Sequence, residues 1–428
     1  MRSARAGILA AGLIAGLAAG GGADAYTMHV LYTFPDGSPT LTGLLRDASG
    51  TFYGTAQGGK TGYGYVYKLY QSSPGSHWKV LDIHDFGTDG ELGLDLIQDT
   101  AGNLYGLTFQ SLQGAGRFFE LSPPPPGVNK WTETLLAVVP QSYDVIRRLA
   151  YAGRSQGLAY DGVSPLYGVT NSPSGANRRG AAFSLSQSGG LWSFADIYDF
   201  CSTGKKFCTD GADPSGGLTM DQAGNLYGAA GNGGAHHHGV AYELSPNGLG
   251  GWSQSVIHSF CAVHFCLDGE EPGGDLFLDA ASGTLYGTTG RGGVRPCRQH
   301  WEHGCEGVVY SLAPDGGGWD FTVLATFCKR TACADGARPF GLARDGSGTL
   351  YGVTDVGGTI ASNAPWGGGT VFSLNGTAQR LYAFCKQTDC NDGRLPNAAP
   401  LLDPSGNIFG TTQNGGTYDS GVVFELTP

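Results

Sequence analysis

The stretch "GGLTMDQAGNLYGAA", Gly216 to Ala230, decides the fold. An apolar run ends in an aspartate, "QAGN" supplies a tight turn, and an aromatic–glycine pair opens a second apolar run. Turn residues between two short apolar runs mark an antiparallel strand pair. The anchor then recurs: "GTFYGTA" at Tyr53, "GNLYGLT" at Tyr105, "SPLYGVT" at Tyr167, "GTLYGTT" at Tyr286, "GTLYGVT" at Tyr351 and "GNIFGTT" at Phe409. With Tyr227 this makes seven copies spaced by about 60 residues, the signature of a repeat architecture.

The order around each anchor is constant. A Gly-rich loop follows it, then a third run such as "GVAYELSP" (Gly239 to Pro246). A fourth run opens with Trp and closes with Phe, as in "WSQSVIHSF" (Trp252 to Phe260). Four short strands per repeat predict one antiparallel blade, and seven repeats predict an all-β, seven-bladed β-propeller. The last repeat stops after its third strand, "GVVFELTP", while "TMHVLYTF" (Thr27 to Phe34) stands unpartnered near the start. The N-terminal strand is therefore expected to complete the last blade and hide its edge.

The chain has 428 residues, 40% hydrophobic and 11% aromatic, enough for a large core. Its 74 glycines follow no Gly-X-Y period and so fit turns, not collagen. A formal charge of -11 argues against a nucleic-acid partner, which wants a basic face. Residues 1–25 carry Arg2 and Arg5, an apolar core and Ala23-Asp24-Ala25, which together read as a secretory signal peptide. Residues 26–428 are then expected to form one propeller domain, monomeric, and secreted or placed in the periplasm or cell envelope. No later stretch is apolar for long enough to form a membrane helix.

The recurring D-x-x-G-N-L-Y-G-T-T-x-x-G-G followed by G-x-V-F-x-L resembles the GloVer tandem repeat of exported bacterial proteins, over essentially the whole chain beyond residue 25. That resemblance implies fold and location. It brings no activity and no catalytic residues.

In such a blade the loop between strands two and three lies on the same ring face as the crossing to the next blade. The longest loops and all ten cysteines fall on that face, which makes it the expected working surface. The cysteines come in close pairs: Cys201/Cys208, Cys261/Cys266, Cys297/Cys305, Cys328/Cys333 and Cys385/Cys390. An even count in an exported chain reads as local disulfides. A redox motif would need C-x-x-C at a helix N-terminus, which is not present.

Asp-Gly recurs before the inner strands, at Asp36, Asp89, Asp210, Asp268, Asp335 and Asp392. Turn chemistry accounts for it, and an acidic ring holding calcium is the alternative. Histidines crowd into blades four and five. His236, His237, His238 and His264 are candidate transition-metal ligands. His300 and His303 lie between Cys297 and Cys305, a spacing shared by a disulfide loop and a zinc site. Neither ion is required by the sequence, and no cofactor is expected.

Five tryptophans open fourth strands and read as packing. Trp301 and Trp366 lie in long loops instead, where an indole face can stack on a sugar ring. With His300 and His303 they form the candidate ligand-binding set. "GRSQG" around Ser155 lacks the strand–turn–helix setting of a nucleophile elbow, and no catalytic set stands out. The expected function is a glycan- or protein-binding scaffold. A polysaccharide lyase or hydrolase, and a structural envelope protein, remain as alternatives.

Overall fold

The computed structural model describes residues 26–428, apart from 36, 38, 40–41, 74, 88–95, 109–115, 126–127, 129, 140–144, 157–158, 172–174, 205, 294–306 and 397. Seven antiparallel four-stranded blades form a ring: blade 1 (45–85), blade 2 (97–139), blade 3 (145–199), blade 4 (212–259), blade 5 (270–326), blade 6 (337–383) and blade 7 (394–427). In blades 4 and 7 the inner strand is split into two short pieces. The expected closure is present. Thr27–Thr33 pairs antiparallel with Val422–Thr427 as the outer strand of blade 7, from Thr27↔Thr427 to Thr33↔Val422. Among the described residues the only helices are single 3-10 turns, none long and apolar enough to cross a membrane.

The aromatic–glycine anchor has a packing cause. Each anchor glycine lies directly across from a third-strand aromatic: Gly54↔Tyr67, Gly106↔Phe119, Gly168↔Phe183, Gly228↔Tyr242, Gly287↔Tyr310, Gly352↔Phe372 and Gly410↔Phe424. The ring lies over the glycine Cα. A Cβ at Gly228 would sit 2.7 Å from Tyr242 Cζ, and one at Gly106 would sit 2.6 Å from Phe119 Cζ. These aromatics are at most 1% exposed, so each contributes about 1.5–3 kcal/mol of burial.

The anchor aromatic serves the seam between blades. The Trp that opens the fourth strand of one blade packs on the anchor of the blade before it in three cases, Trp131 on Tyr53, Trp252 on Tyr167 and Trp319 on Tyr227, with ring centroids 5.4–6.1 Å apart, while Trp192 packs on the third-strand Phe118 of blade 2 at 5.2 Å. The aspartate of the first turn completes the unit. Asp221 accepts the N–H groups of Ala223 and Asn225 on one oxygen, and Asn225 Nδ2 (2.9 Å) and the Tyr227 hydroxyl (3.0 Å) on the other. The spacing D-x-x-G-N-x-Y is therefore one hydrogen-bonded knot tying turn to anchor.

Candidate functional site

Four crossings between blades carry disulfides, Cys201–Cys208, Cys261–Cys266, Cys328–Cys333 and Cys385–Cys390, as expected. Cys297 and Cys305 lie outside the described residues, as do His300, Trp301 and His303. Both half-cystines of all four pairs take positive φ, between 50° and 66°, a region that a non-glycine residue enters at a cost of about 1 kcal/mol or more. A covalent closure holds the chain in that conformation. Each crossing then enters the next inner strand at a proline that abuts the preceding blade. A Cβ on Gly180 would lie 2.5 Å from Pro214, and one on Gly307 or Gly369 would lie 2.6 Å from Pro339 or Pro396.

The aspartate after each pair accepts hydrogen bonds from the crossing, although among the described residues Asp210 Oδ1 is buried without a partner. Asp392, fully buried, accepts the Tyr382 hydroxyl (2.7 Å) and the N–H groups of Lys386 (3.0 Å) and Gln387 (3.2 Å). Asp210 takes Tyr198 and Ser202, and Asp335 takes the N–H groups of Lys329 and Arg330. Asp268 accepts from Ala262 and Val263 and stands 3.4 Å from His258 Nε2. Burial pushes the Asp268 carboxyl up, but His258 and those N–H donors outweigh it and hold it below the usual carboxylate range. Asp36 and Asp89 lie outside the described residues.

The consecutive histidines diverge. His237 sits at φ 67° with its ring 4.8 Å from Phe207, and His236 faces solvent. His238 turns to Glu270 (Nδ1–Oε2 2.7 Å), and His264 lies against its neighbour Phe265. Of the four, only His238 stands beside other metal-ligating side chains among the described residues. Ser155 Oγ donates to the Met220 carbonyl (2.8 Å) from a 3-10 turn, a structural bond.

One face carries the exposed rings. Among the described residues the large aromatics classed as exposed are Phe207, Phe265, Trp366 and Tyr418, at 48, 48, 50 and 57%. Phe207 and Phe265 stand within disulfide loops. Trp366 and Tyr418 stand in the second-to-third-strand loops of blades 6 and 7. All four therefore lie on the disulfide face. Between blades 6 and 7 that face opens into a cavity of about 530 Å³ lined by Asn363, Asp389, Asn391, Gly416, Thr417, Tyr418 and Asp419. Amide, hydroxyl and carboxylate groups surround an exposed phenol there. Burial pushes the Asp419 carboxyl up, yet the Arg394 guanidinium (2.8 Å) and the Gly415 N–H (2.8 Å) hold it low and ionised.

Sequence reasoning reached Trp366 and this face but missed Asp389, Asn391 and Tyr418. The signal was the odd "GGTYDSG" loop, Gly415 to Gly421, whose tyrosine has no counterpart at the same place in the other repeats. The central channel holds a second cavity of about 320 Å³ lined by inner-strand residues such as Leu276, Phe340 and Leu402. Of its charged lining, Arg344 pairs with Asp279 at 3.1 Å, Arg154 donates to the Leu149 carbonyl, and Asp275 accepts the Gly217 N–H.

Solved structures match this chain at low identity. A protein from Lactobacillus plantarum matches at 14% identity and TM-score 0.52, covering 88% of this chain and 99% of its own. The Niastella koreensis GH74 enzyme matches at 16% identity and TM-score 0.42, over 77% of this chain and 42% of that one. This chain thus spans less than half the length of the GH74 enzyme. The phage phi92 endosialidase matches at 10% identity and TM-score 0.44, over 94% and 69%. No curated protein matches the sequence. The family model of the Gloeobacter/Verrucomicrobia repeat matches residues 42–301 and 297–428, and the chain belongs to that family.

Proposed function

We propose that this propeller is an exported, non-enzymatic binding scaffold whose disulfide-pinned face takes a glycan, with the cavity between blades 6 and 7 as its principal subsite. The observation that carries the reading is chemical. Tyr418 offers an exposed aromatic face at a cavity whose other walls are Asn363, Asp389, Asn391, Thr417 and Asp419. Sugars present apolar C–H faces for rings and hydroxyls for amides and carboxylates. Trp366, on the same loop as Asn363, extends the aromatic surface. Secretion, or placement in the cell envelope, follows from residues 1–25 and agrees with four local disulfides.

A glycan array probed with the mature chain tests the reading. Binding should be lost or sharply weakened in Tyr418→Ala and Asn391→Ala and reduced in Trp366→Ala. A ligand bound equally well by all three variants moves the site elsewhere. A polysaccharide-cleaving enzyme is the second reading, favoured by the two carboxylates, Asp389 and Asp419, that line one cavity. Against it, Asp419 is already engaged by Arg394 through two oxygens. Release of new reducing ends from any arrayed polysaccharide, abolished by Asp389→Asn, would establish it.

A further inference from the structure

Three of the disulfide crossings share a five-residue spacing and a 3-10 turn, and all four differ in what stands beside the sulfurs. The residue after each Asp-Gly is Ala212, Glu270, Ala337 or Arg394. The preceding blade presents a fixed partner to the crossing, marked by a conserved pattern of backbone bonds: Asp213 N–H to Arg179, Glu271 N–H to His238 and Leu395 N–H to Gly368. Only between blades 4 and 5, among the described residues, do an imidazole and a carboxylate meet over a disulfide. His238 Nδ1 lies 2.7 Å from Glu270 Oε2, which lies 3.7 Å from Cys266 Sγ. One ligand atom from each of His238, Cys261, Cys266 and Glu270 falls within 4.8 Å of the others.

Access also sets this crossing apart from two of its sisters. Cys201 and Cys208 are 5 and 7% exposed, and Cys385 and Cys390 are 4 and 0%. Cys261 and Cys266 are half-buried, and the His238 side chain is 43% exposed. Reductant and cation therefore both reach the group. Tetrahedral zinc takes sulfur at about 2.3 Å and nitrogen or oxygen at about 2.0–2.2 Å, which places neighbouring ligand atoms roughly 3.3–3.8 Å apart. Side-chain rotation of about 1 Å brings the present set to that spacing.

We propose that the Cys261–Cys266 crossing is a redox-gated site for a thiolate-seeking divalent cation, zinc by preference. With the disulfide closed, neither sulfur is an anionic donor, and His238 and Glu270 alone are too few ligands. A dithiol reductant delivers two electrons and two protons to the S–S bond. That bond breaks to two thiols while the reductant closes to its own disulfide. The cation then displaces both thiol protons. His238 supplies the Nδ1 lone pair, Glu270 supplies Oε2, and the two thiolates complete a Cys2HisGlu tetrahedron. This site is separate from the proposed glycan subsite.

The test is cobalt titration of the mature chain carrying Cys297→Ser and Cys305→Ser, which removes the other cysteine–histidine loop. The chain is compared oxidised and after treatment with a phosphine, which takes oxygen from water as the two thiols form. The oxidised form should show no thiolate-to-cobalt charge transfer, and the reduced form should take up a single equivalent with that band. Adding Cys328→Ser/Cys333→Ser should leave the band, and adding Cys261→Ser/Cys266→Ser should abolish it. His238→Ala and Glu270→Ala should each weaken binding by more than about ten-fold, since even outer-shell partners of a metal site contribute that much. Glu270→Ala keeps the test valid, because alanine fills the same position in two sister crossings that fold. Failure of the reduced chain to take up cobalt overturns the proposal. So does a band that follows Cys328 and Cys333, or unchanged affinity in both the His238 and Glu270 variants.

Discussion

Replacing the anchor glycine of blade 4, Gly228→Ala, tests the packing on which the ring is built. The new methyl would lie 2.7 Å from Tyr242 Cζ, closer still to its hydroxyl, and 3.0 Å from Leu218 Cδ2. Tyr242 is fully buried and packed edge-on against Phe200, ring centroids 4.9 Å apart, so it has no free direction of retreat. Overpacking of this kind costs about 1–3 kcal/mol. Loss of glycine freedom in the unfolded chain returns about 0.4–1 kcal/mol. The expected net is a destabilisation of about 1–2 kcal/mol, read by urea unfolding at constant slope. Gly346→Ala is the control: its Cβ meets nothing within 4 Å and its φ is ordinary, so it should be neutral or slightly stabilising. In a Tyr242→Val background the ring is gone and Gly228→Ala should cost nothing, a coupling of about 1 kcal/mol or more. A Gly228→Ala protein within about 0.5 kcal/mol of wild type, or an equal cost in both backgrounds, would refute the argument.

Three further outcomes follow from the same geometry. Among the described residues the hydroxyls of Tyr67, Tyr242 and Tyr310 are buried without a hydrogen-bond partner, and four sister blades carry Phe there. Tyr242→Phe should therefore be neutral or stabilise by about 1 kcal/mol in the same unfolding assay, and a loss above that would reveal an unseen partner. Asp268 has a folded pKa below its unfolded value. Its contribution should be fully present above the unfolded carboxyl value of about 3.9 and vanish as pH falls through the folded one. The stability gap between wild type and Asp268→Asn, measured from pH 6 down to about pH 2, should accordingly close only at the acid end; a gap independent of pH would deny the linkage. Thiol titration of the denatured, unreduced chain should find none of the eight cysteines of the four described pairs free. Four or more titrating thiols would contradict those bonds.

The ring was legible in the sequence because its packing unit is local and repeated. The turn aspartate, the anchor pair and the cross-strand aromatic all fall within about 20 to 30 residues, so one period displays the whole unit. Even the closure was readable, from a strand too many at one end and one too few at the other. The candidate site was not, because its members break the repeat. Asn363, Asn391 and Tyr418 come from three loops on two blades, and nothing in the period announces that they meet. The histidine run is resolved only in three dimensions. Three neighbours on a tight turn point three ways, and only His238 has the crossing behind it. Glu270 passed unnoticed because Asp-Gly drew attention one residue too early.

The closing strand has a consequence for how the molecule is made. Thr27–Thr33 is synthesised before every other strand of the ring, yet its partner Val422–Thr427 is synthesised after all of them, and His29 meets Thr427 across 398 positions. Joining those ends in a flexible chain costs about 2 kcal/mol more than joining segments one repeat apart. Successive docking of blades removes much of that cost, since a nearly finished arc already carries its two ends toward each other. Until then the first strand must remain unpaired through the synthesis of the other six blades. Its charge-free "TMHVLYTF" is thus the segment most in need of protection from false pairing in the nascent chain.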